Sequence, residues 1–263
     1  MKKWTVFAAS ACFGIPVLAQ GDSPFDGTWK LDVGAAELPT KPDVYLLKDG
    51  MYHCDTCAPP VSVMADGHDQ KVVGHPYFDT EAVRVVDDHA VEINDKKAGK
   101  VVITARMTVS ADGNTATLVQ TDSTAPNGTP VTSRGTLTRV LRGAPGSHLV
   151  SGSWRVAKID NISDNGLLVT YKVDGNKLQM SNPLGQSYSA ALDGTDAPFM
   201  GDPGITTVSV KGVKPNMIEE TDKRDGKAIW IGRMAVSADG HSMIIMWIDN
   251  LHGTTGSINA KKL

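Results

Sequence analysis

The sequence is poor in the features that usually identify a function. Only 3 of its 263 residues are cysteine and 6% are aromatic, so it is not a small domain held together by disulfides. Its 26 basic and 29 acidic residues nearly balance, which disfavours nucleic acid and anionic membranes as partners. It lacks the Gly-x-Ser-x-Gly, His-Glu-x-x-His, phosphate-loop and dinucleotide signatures. The sequence therefore predicts no cofactor and no bound metal, and it names no reaction.

Residues 1–19 have the pattern of a secretory signal peptide. Lys2 and Lys3 precede an apolar stretch at 4–18, and the stretch ends in a small-residue cleavage pattern at Ala19. It is shorter than the roughly 20 residues that a membrane-spanning helix needs, and no later segment is longer. We therefore expect cleavage after Ala19, a secreted, periplasmic protein, and no membrane span.

The remaining chain contains two cysteines, Cys54 and Cys57, which would face an oxidising compartment. A Cys-x-x-Cys pair can form a local disulfide, contribute to a metal site or act in redox exchange. This pair follows a predicted strand, whereas redox pairs usually begin a helix, so we predict a disulfide. A metal site completed by His53 and either His68 or His75 is one alternative, and a redox pair is the other.

The chain contains two similar units. Residues 25–141 recur, nearly in register, as residues 150–262. The run GTWK at Gly27 recurs as GSWR at Gly152, and the run MTVSADG at Met107 recurs as MAVSADG at Met234. The offset of 125 to 127 residues is the size of one small domain. We therefore predict a first unit at 22–142, a linker at 143–149 and a second unit at 150–263.

Both units have the pattern of antiparallel β structure. Short segments of alternating apolar and polar residues are separated by Asp-Gly pairs, the strongest short-range hairpin signal, at Asp49, Asp225 and five other positions. Such units avoid exposed edges by closing into a barrel or by stacking as a sandwich. We predict an all-β protein of two tandem antiparallel meander β-barrels, with a β-sandwich as the alternative.

The start of each unit favours the barrel. The segments around Trp29 and Trp154 resemble the first-strand Gly-x-Trp signature of the lipocalins and the related fatty-acid-binding proteins. The resemblance implies a barrel closed at its bottom by the tryptophan, with a basic residue of the last strand packed over the ring. Arg139 lies on the last predicted strand of the first unit, and Lys261 and Lys262 lie on that of the second. The segment after the first strand is too short for paired lid helices, so a fatty-acid ligand is not implied.

The alternation also predicts a strand register. Glu92 and Arg106 are equally far from the glycine of one predicted hairpin, and Glu219 and Arg233 repeat this arrangement in the second unit. We predict two exposed cross-strand ion pairs, each contributing only a few tenths of a kcal/mol. We interpret them as scaffold and not as catalytic pairs.

The most specific functional signal is an acid that only the second unit has. The repeat places Glu220 where the first unit has Ile93, facing the interior, and Gly232 opposite would leave room above it. A lone buried carboxyl is costly unless it is hydrogen-bonded or its pKa rises. We therefore predict a ligand chamber in the second unit, with Glu220 as its polar group and candidate general acid or base; a one-residue register slip that turns Glu220 outward is the alternative. The apolar side chains expected to line the chamber are those of Trp230, Met234, Met243 and Trp247.

The outer face of the same hairpin is unexpectedly apolar, and a contiguous exposed patch of this kind normally marks an interface. We expect this face to pack against the first unit or, alternatively, to form a homodimer. Its residues are Ile229, Ile231, Ile244, Met246 and Ile248.

These observations predict a binding protein for a small apolar or amphipathic molecule. Two other functions stay open. One is an enzyme on the same scaffold, a hydrolase, lyase or isomerase with Glu220 as its acid or base. The other is an envelope protein that interacts with partners through its apolar outer sheet.

Overall fold

The computed structural model describes residues 23–263, and the predicted signal peptide lies outside this range. The regular structure within it comprises twenty β-strands and a 3-10 turn at Asp164–Gly166. The strands form two ten-stranded antiparallel sheets, one closed and one nearly closed, so the prediction of an all-β, two-barrel fold is confirmed. In this part of the chain no helix is long and apolar enough to span a bilayer.

The nearly closed sheet is called barrel 1. In spatial order its strands are β4 (Val61–Met64), β3 (Met51–Cys54), β2 (Asp43–Lys48), β11 (Gly152–Ile162), β10 (Val131–Arg142), β9 (Thr115–Asp122), β8 (Lys100–Val109), β7 (Ala90–Lys97), β6 (Thr80–Asp87) and β5 (Gln70–Lys71). Near its open edge β4 contacts β6, and an isolated bridge joins Asp66 to Arg84.

The closed sheet is called barrel 2. In spatial order its strands are β1 (Gly27–Glu37), β12 (Leu168–Asp174), β13 (Lys177–Ser181), β14 (Ser187–Ala191), β15 (Asp193–Met200), β16 (Thr207–Lys214), β17 (Met217–Arg224), β18 (Lys227–Val236), β19 (Ser242–Asp249) and β20 (Thr254–Lys262). Strand β1 pairs with both β12 and β20 and so closes the ring. Closure leaves this sheet without an exposed edge.

The two barrels do not follow the two sequence units, because each barrel takes one strand from the other unit. Strand β1, from the first unit, lies between β12 and β20 in barrel 2. The equivalent strand of the second unit, β11, lies between β10 and β2 in barrel 1. The chain therefore crosses between the barrels at 38–42 and again at 163–167. Barrel 1 is built from the continuous segment 43–162, whereas barrel 2 combines β1 with 168–262.

The exchange gives residues 143–149 a local role. They connect β10 to β11, which are neighbours in barrel 1, instead of joining the two barrels. This connection packs onto barrel 1, where the His148 amide donates to the Leu47 carbonyl at 2.9 Å and the Leu47 amide donates to Ser151 Oγ at 2.8 Å. It therefore belongs to the wall of barrel 1.

Tight turns at Asp-Gly pairs set the hairpin registers. Asp49 and Gly50, between β2 and β3, have φ values of 51° and 78°, and Asp225 and Gly226, between β17 and β18, have 50° and 77°. A two-residue hairpin turn of type I′ needs positive φ at both positions, which aspartate tolerates and glycine favours. The hairpins predicted at these two pairs are confirmed.

A buried tryptophan closes each barrel in the same way. Trp29 and Trp154 are fully buried, and each indole N–H donates to the carbonyl four residues earlier at 2.8 Å. Lys262 Nζ lies 4.9 Å from the centre of the Trp29 ring, and the Arg139 guanidinium carbon lies 3.9 Å from that of Trp154. The predicted cover of each tryptophan by a basic residue of the last strand is present. Because the first strands are exchanged, each cation covers the tryptophan of the other unit.

The predicted cross-strand ion pairs are confirmed. Glu92 lies opposite Arg106, with Oε1 2.6 Å from Nη1, and Glu219 lies opposite Arg233, with Oε2 2.7 Å from Nε. The register that they report places Glu220 opposite Gly232, as predicted. Odd positions of β7 and β8 and even positions of β17 and β18 therefore face the interiors.

The two barrels contact each other through loops as well as through the exchanged strands. The Tyr77 hydroxyl donates to Asp202 Oδ1 at 3.0 Å, and Asn127 Nδ2 donates to the Pro183 carbonyl at 2.8 Å. Neither contact involves a residue of β18 or β19.

The expectation that this face packs against the first unit is wrong for three of its residues. Ile244, Met246 and Ile248 are 38%, 42% and 46% exposed, whereas Ile229 is buried and Ile231 is partly buried. These three side chains are therefore not covered by the described part of the chain. The homodimer stays a prediction.

Candidate functional site

A cavity of about 570 Å³ lies in barrel 1. This volume falls within the roughly 300–1,000 Å³ typical of sites for small molecules. Its walls are largely apolar, because the inward positions of three neighbouring strands carry Val91, Ile93, Ile103, Ala105, Met107 and Leu118. Loop residues and the second barrel complete the lining with Cys57, Ala58, His75, Phe78 and His252.

Two carboxyl groups interrupt this apolar lining. Glu81 on β6 and Asp95 on β7 are directly paired across the two strands, and both line the cavity. They are only 5% and 6% exposed. Side chains of paired antiparallel residues lie on the same face, so the sheet itself brings the two acids together. Gln120 and the stacked pair Tyr45 and Tyr52 complete the polar part of the wall.

Burial raises the pKa of both acids. The pKa of Glu81 rises to about 8, through burial and then through repulsion from Asp95, and that of Asp95 rises to about 7, mainly through burial. The two side chains share a hydrogen bond in which protonated Glu81 donates to the Asp95 carboxylate. Two carboxyls this close cannot both ionise cheaply, so at neutral pH the pair holds one proton and one negative charge.

Two oxygens of this pair have no donor from outside the pair. Glu81 Oε1 and Asp95 Oδ1 are buried, and apart from the hydrogen bond between the two acids neither has a partner among residues 23–263. Leaving a buried acceptor unpaired costs about 1–3 kcal/mol, more when it is charged. Buried polar atoms are nearly always satisfied, so these two mark a place where a bound molecule can donate.

His75 adds a third acceptor to the wall. Its ring stacks on Phe78 with centroids 4.4 Å apart, and the ring donates to the Pro59 carbonyl. Burial lowers its pKa, so the neutral imidazole is favoured. Its Nε2 is buried and has no partner in the described part of the chain. With one ring nitrogen donating to Pro59, Nε2 is left as an acceptor.

Barrel 2 contains a related acid pair in which Glu220 is satisfied, whereas Asp222 Oδ1 is buried without a partner among residues 23–263. Glu220 and Asp222, both on β17, face the interior of barrel 2 and are 5% and 8% exposed. The predicted inward orientation of Glu220 is therefore confirmed. Burial raises the pKa of Glu220 to about 7 and that of Asp222 to about 8. Glu220 accepts hydrogen bonds from Asp222 and from the hydroxyl of Tyr188. It therefore has donors within its own barrel, which Asp95 lacks beyond its acid partner.

The space expected above Glu220 is filled. A Cβ placed on Gly232 would lie 2.1 Å from the Trp230 ring, so the indole packs directly on the glycine. Trp247 packs in the same manner on Gly256, where the corresponding distance is 2.3 Å. The glycine that was expected to open a chamber instead admits a tryptophan. Of the other residues predicted to line that chamber, Met234 and Met243 are buried in the core of barrel 2.

The difference between the barrels follows from a few replacements at equivalent positions. Trp230 and Trp247 of barrel 2 correspond to Ile103 and Gln120 of barrel 1, and Tyr188 corresponds to Val61, at the common offset of 127. Two smaller side chains thus stand where barrel 2 has indoles, and both line the cavity. The missing hydroxyl at position 61 leaves the acids of barrel 1 without the donor that Glu220 has.

Glu81 and Asp95 were missed because the predicted strands stopped one residue short of each. The sequence pattern places strands at 82–86 and 90–94, whereas β6 begins at Thr80 and β7 extends to Lys97. Both acids therefore read as turn residues. The alternation that places Val91 and Ile93 inward, continued by one step, would have found Asp95.

The predicted disulfide between Cys54 and Cys57 is present, with a Cα–Cα distance of 5.4 Å. Cys54 is buried at the end of β3, and Cys57 lines the cavity. His75 also lines this cavity. His53 lies on β3 and is not among the residues that line it. Within residues 23–263 no three His, Cys, Asp or Glu side chains are grouped to hold a metal ion.

Comparison of the sequence with protein-family models finds no match, and no curated protein is significantly similar to the chain. The fold and the site therefore define the class of protein: a two-barrel, all-β protein in which one barrel encloses an apolar cavity with a buried acid pair.

Proposed function

We propose that this protein is a secreted, periplasmic binding protein for a small amphipathic molecule, and that barrel 1 is its binding chamber. The supporting observation is the cavity of about 570 Å³, apolar over most of its wall and polar at Glu81 and Asp95. A ligand with an apolar body and a donor group would match both parts. The tryptophan closure of each barrel supports a lipocalin-like kinship, which we propose together with the function.

Glu220 is a weaker candidate for a functional group than the acids of barrel 1. Its carboxyl already accepts from Tyr188 and Asp222, and Trp230 occupies the space beside it. An enzymatic acid or base must reach a substrate proton, directly or through one water. Binding in barrel 1 therefore accounts for more of the structure than catalysis at Glu220.

Binding can be tested with N-phenyl-1-naphthylamine, a neutral probe whose fluorescence rises in apolar surroundings. We expect the wild-type protein to bind one equivalent. The double variant Ile103→Trp with Ala105→Gly recreates in barrel 1 the arrangement of Trp230 on Gly232, and it should fill the cavity. We expect it to weaken probe binding at least about tenfold, because the buried apolar contact area is lost.

The matched control is Thr104→Trp, which adds an indole to the exposed face of the same strand. It should bind the probe as the wild-type protein does. The proposal fails if the wild-type protein does not bind the probe, or if the filled variant binds it equally well. Independently of the probe, native mass spectrometry of the protein purified from cells would show whether a natural ligand is bound to it.

Self-association through the outer face of barrel 2 is a separate proposal. Ile244, Met246 and Ile248 form an exposed apolar strip on one strand, which would support a homodimer. Sedimentation analysis of the wild-type protein and of Met246→Lys tests it. A wild-type protein that stays monomeric at high concentration would refute it.

A further inference from the structure

The acid pair of barrel 1 allows the ligand class to be narrowed, and this step rests on the proposed binding function. The acceptors Glu81 Oε1, Asp95 Oδ1 and His75 Nε2 all belong to residues that line one cavity, and apart from the bond between the two acids none has a partner among the residues described. Glu81 and Asp95 are more than nine-tenths buried. A wall with unpaired acceptors calls for a ligand with several N–H or O–H donors at one end.

The charge of the cavity wall determines whether a cationic or a neutral donor group of the ligand is favoured. The acid pair holds one negative charge, and Asp122 lies close enough to raise the pKa of Asp95 by repulsion. Neither lysine nor arginine lines the cavity in the part of the chain that the structure describes. Arg224 acts on His75 from barrel 2, but its guanidinium Nε donates to the Gly204 carbonyl. His252, also on the wall, is paired with Asp249.

An uncompensated buried charge is costly, and a cation bound beside it removes that cost. The aromatic part of the wall is compatible with the same ligand, because Tyr45, Tyr52 and Phe78 present rings that attract cations. A carboxylate ligand would instead be repelled. The volume of about 570 Å³ leaves room for an apolar body beyond the charged group.

We infer that the ligand of barrel 1 is a monocationic primary or secondary amine with an aliphatic or aromatic body, whose ammonium group binds beside the hydrogen-bonded pair of Glu81 and Asp95. The N–H bonds of the ammonium supply the donors that the two oxygens lack. A quaternary ammonium group carries the charge but no N–H, so it fits this site less well.

The experiment is competition against N-phenyl-1-naphthylamine in the wild-type protein at neutral pH, with four compounds that share an octyl chain. These are octylamine, octan-1-ol, octanoate and octyltrimethylammonium. We expect octylamine to displace the probe at a concentration at least about tenfold below that of octan-1-ol, the difference expected for a hydrogen-bonded ion pair with a buried carboxylate. Octyltrimethylammonium should be intermediate and octanoate the weakest.

Variants test whether the preference for octylamine arises at the acid pair of barrel 1. Asp95→Asn should reduce the preference for octylamine over octan-1-ol to about twofold or less, because it removes the carboxylate that carries the negative charge of the pair. Glu81→Gln removes only the protonated partner and should keep most of the preference. Asp222→Asn removes the equivalent acid of barrel 2 and should leave the preference unchanged. Circular dichroism confirms that each variant is folded, and the wild-type comparison of octylamine with octan-1-ol requires no variant.

The outcomes separate the two proposals. If octan-1-ol competes as well as octylamine, the amine assignment is wrong and the binding function stands. If Asp222→Asn removes the preference and Asp95→Asn keeps it, the site is misplaced. If neither the probe nor any octyl compound binds, both the binding function and the amine assignment are overturned.

Discussion

The ammonium of Lys262 lies 4.9 Å from the centre of the Trp29 ring, so two residues 233 positions apart close the same barrel. Lys262 also donates to the Pro24 carbonyl at 3.0 Å. The corresponding pair in barrel 1, Arg139 on Trp154, joins residues of one hairpin. Barrel 2 therefore depends on long-range closure, whereas barrel 1 is complete within one segment.

This difference predicts which fragments fold. The segment 43–162 contains all ten strands of barrel 1, whereas the sequence unit 22–142 contains β1 and lacks β11. We expect the first fragment to unfold cooperatively on heating and the second to show no cooperative transition, since its β2 and β10 have lost their shared neighbour. Differential scanning calorimetry of the two fragments checks this. An equally cooperative 22–142 would mean that β1 can replace β11.

Arg139 is expected to be a larger contributor to stability than an ordinary surface arginine. Its guanidinium stacks on Trp154 and donates to the carbonyls of Leu149, Ser151 and Gly113. Lysine cannot reproduce this planar fork, so Arg139→Lys should lower the free energy of unfolding by about 2 kcal/mol. Urea denaturation provides the measurement. Arg134→Lys, an exposed position on the same strand, is the control and should change it by less than about 0.5 kcal/mol.

The buried acid pairs predict how stability depends on pH. Folding raises the pKa of Glu81 to about 8 and that of Asp95 to about 7, so between about pH 4 and pH 8 the folded protein binds more protons than the unfolded chain. The free energy of unfolding should therefore fall as the pH rises from 5 to 8. Glu220 and Asp222 act in the same direction.

Melting temperatures across this pH range provide the test. Asp95→Asn with Glu81→Gln should make the decline shallower, because it removes one of the two pairs. Asp112→Asn is the control. Hydrogen bonds from Ser110 and Asn114 lower the pKa of Asp112, so its contribution is lost only at more acid pH. A wild-type protein that gains stability steadily from pH 5 to pH 8 would contradict the assignment of raised pKa values.

Gly232 is predicted to be required for the packing of barrel 2. A methyl group there would collide with the Trp230 ring, so Gly232→Ala should displace the indole and destabilise the protein by about 2 kcal/mol. Gly212→Ala is the control on β16, where the added Cβ has its nearest neighbour at 3.5 Å. Thermal unfolding and tryptophan fluorescence report both effects. Equal stability of the two variants would show that Trp230 can move at little cost.

The repeat comparison predicted much of the architecture. It placed Glu220 opposite Gly232 and paired Glu92 with Arg106, and the structure has both registers. These predictions succeed because strand alternation and hairpin turns are local properties, each readable over a few residues. The same comparison did not predict that barrel 1 has open space beside its buried acids. From the sequence, Gly232 is equally compatible with an open chamber and with an aromatic ring packed on the glycine. Only the position of Trp230 in the structure distinguishes these two arrangements.

The sequence by itself determined most of the strands, their registers and the disulfide, because these follow from alternation, turns and short spacing. The tryptophans with their basic partners followed from the resemblance to the lipocalins. Tertiary structure alone decided that the first strands are exchanged, because β1 and β11 are related in sequence and no local signal assigns either of them to one sheet. It also decided that Ile103 and Gln120 of barrel 1 leave a cavity, whereas Trp230 and Trp247 fill the equivalent space in barrel 2. It brought Glu81 and Asp95 together in the wall of that cavity. A cavity is set by the volumes of side chains from many strands together, and no single segment of sequence contains that sum.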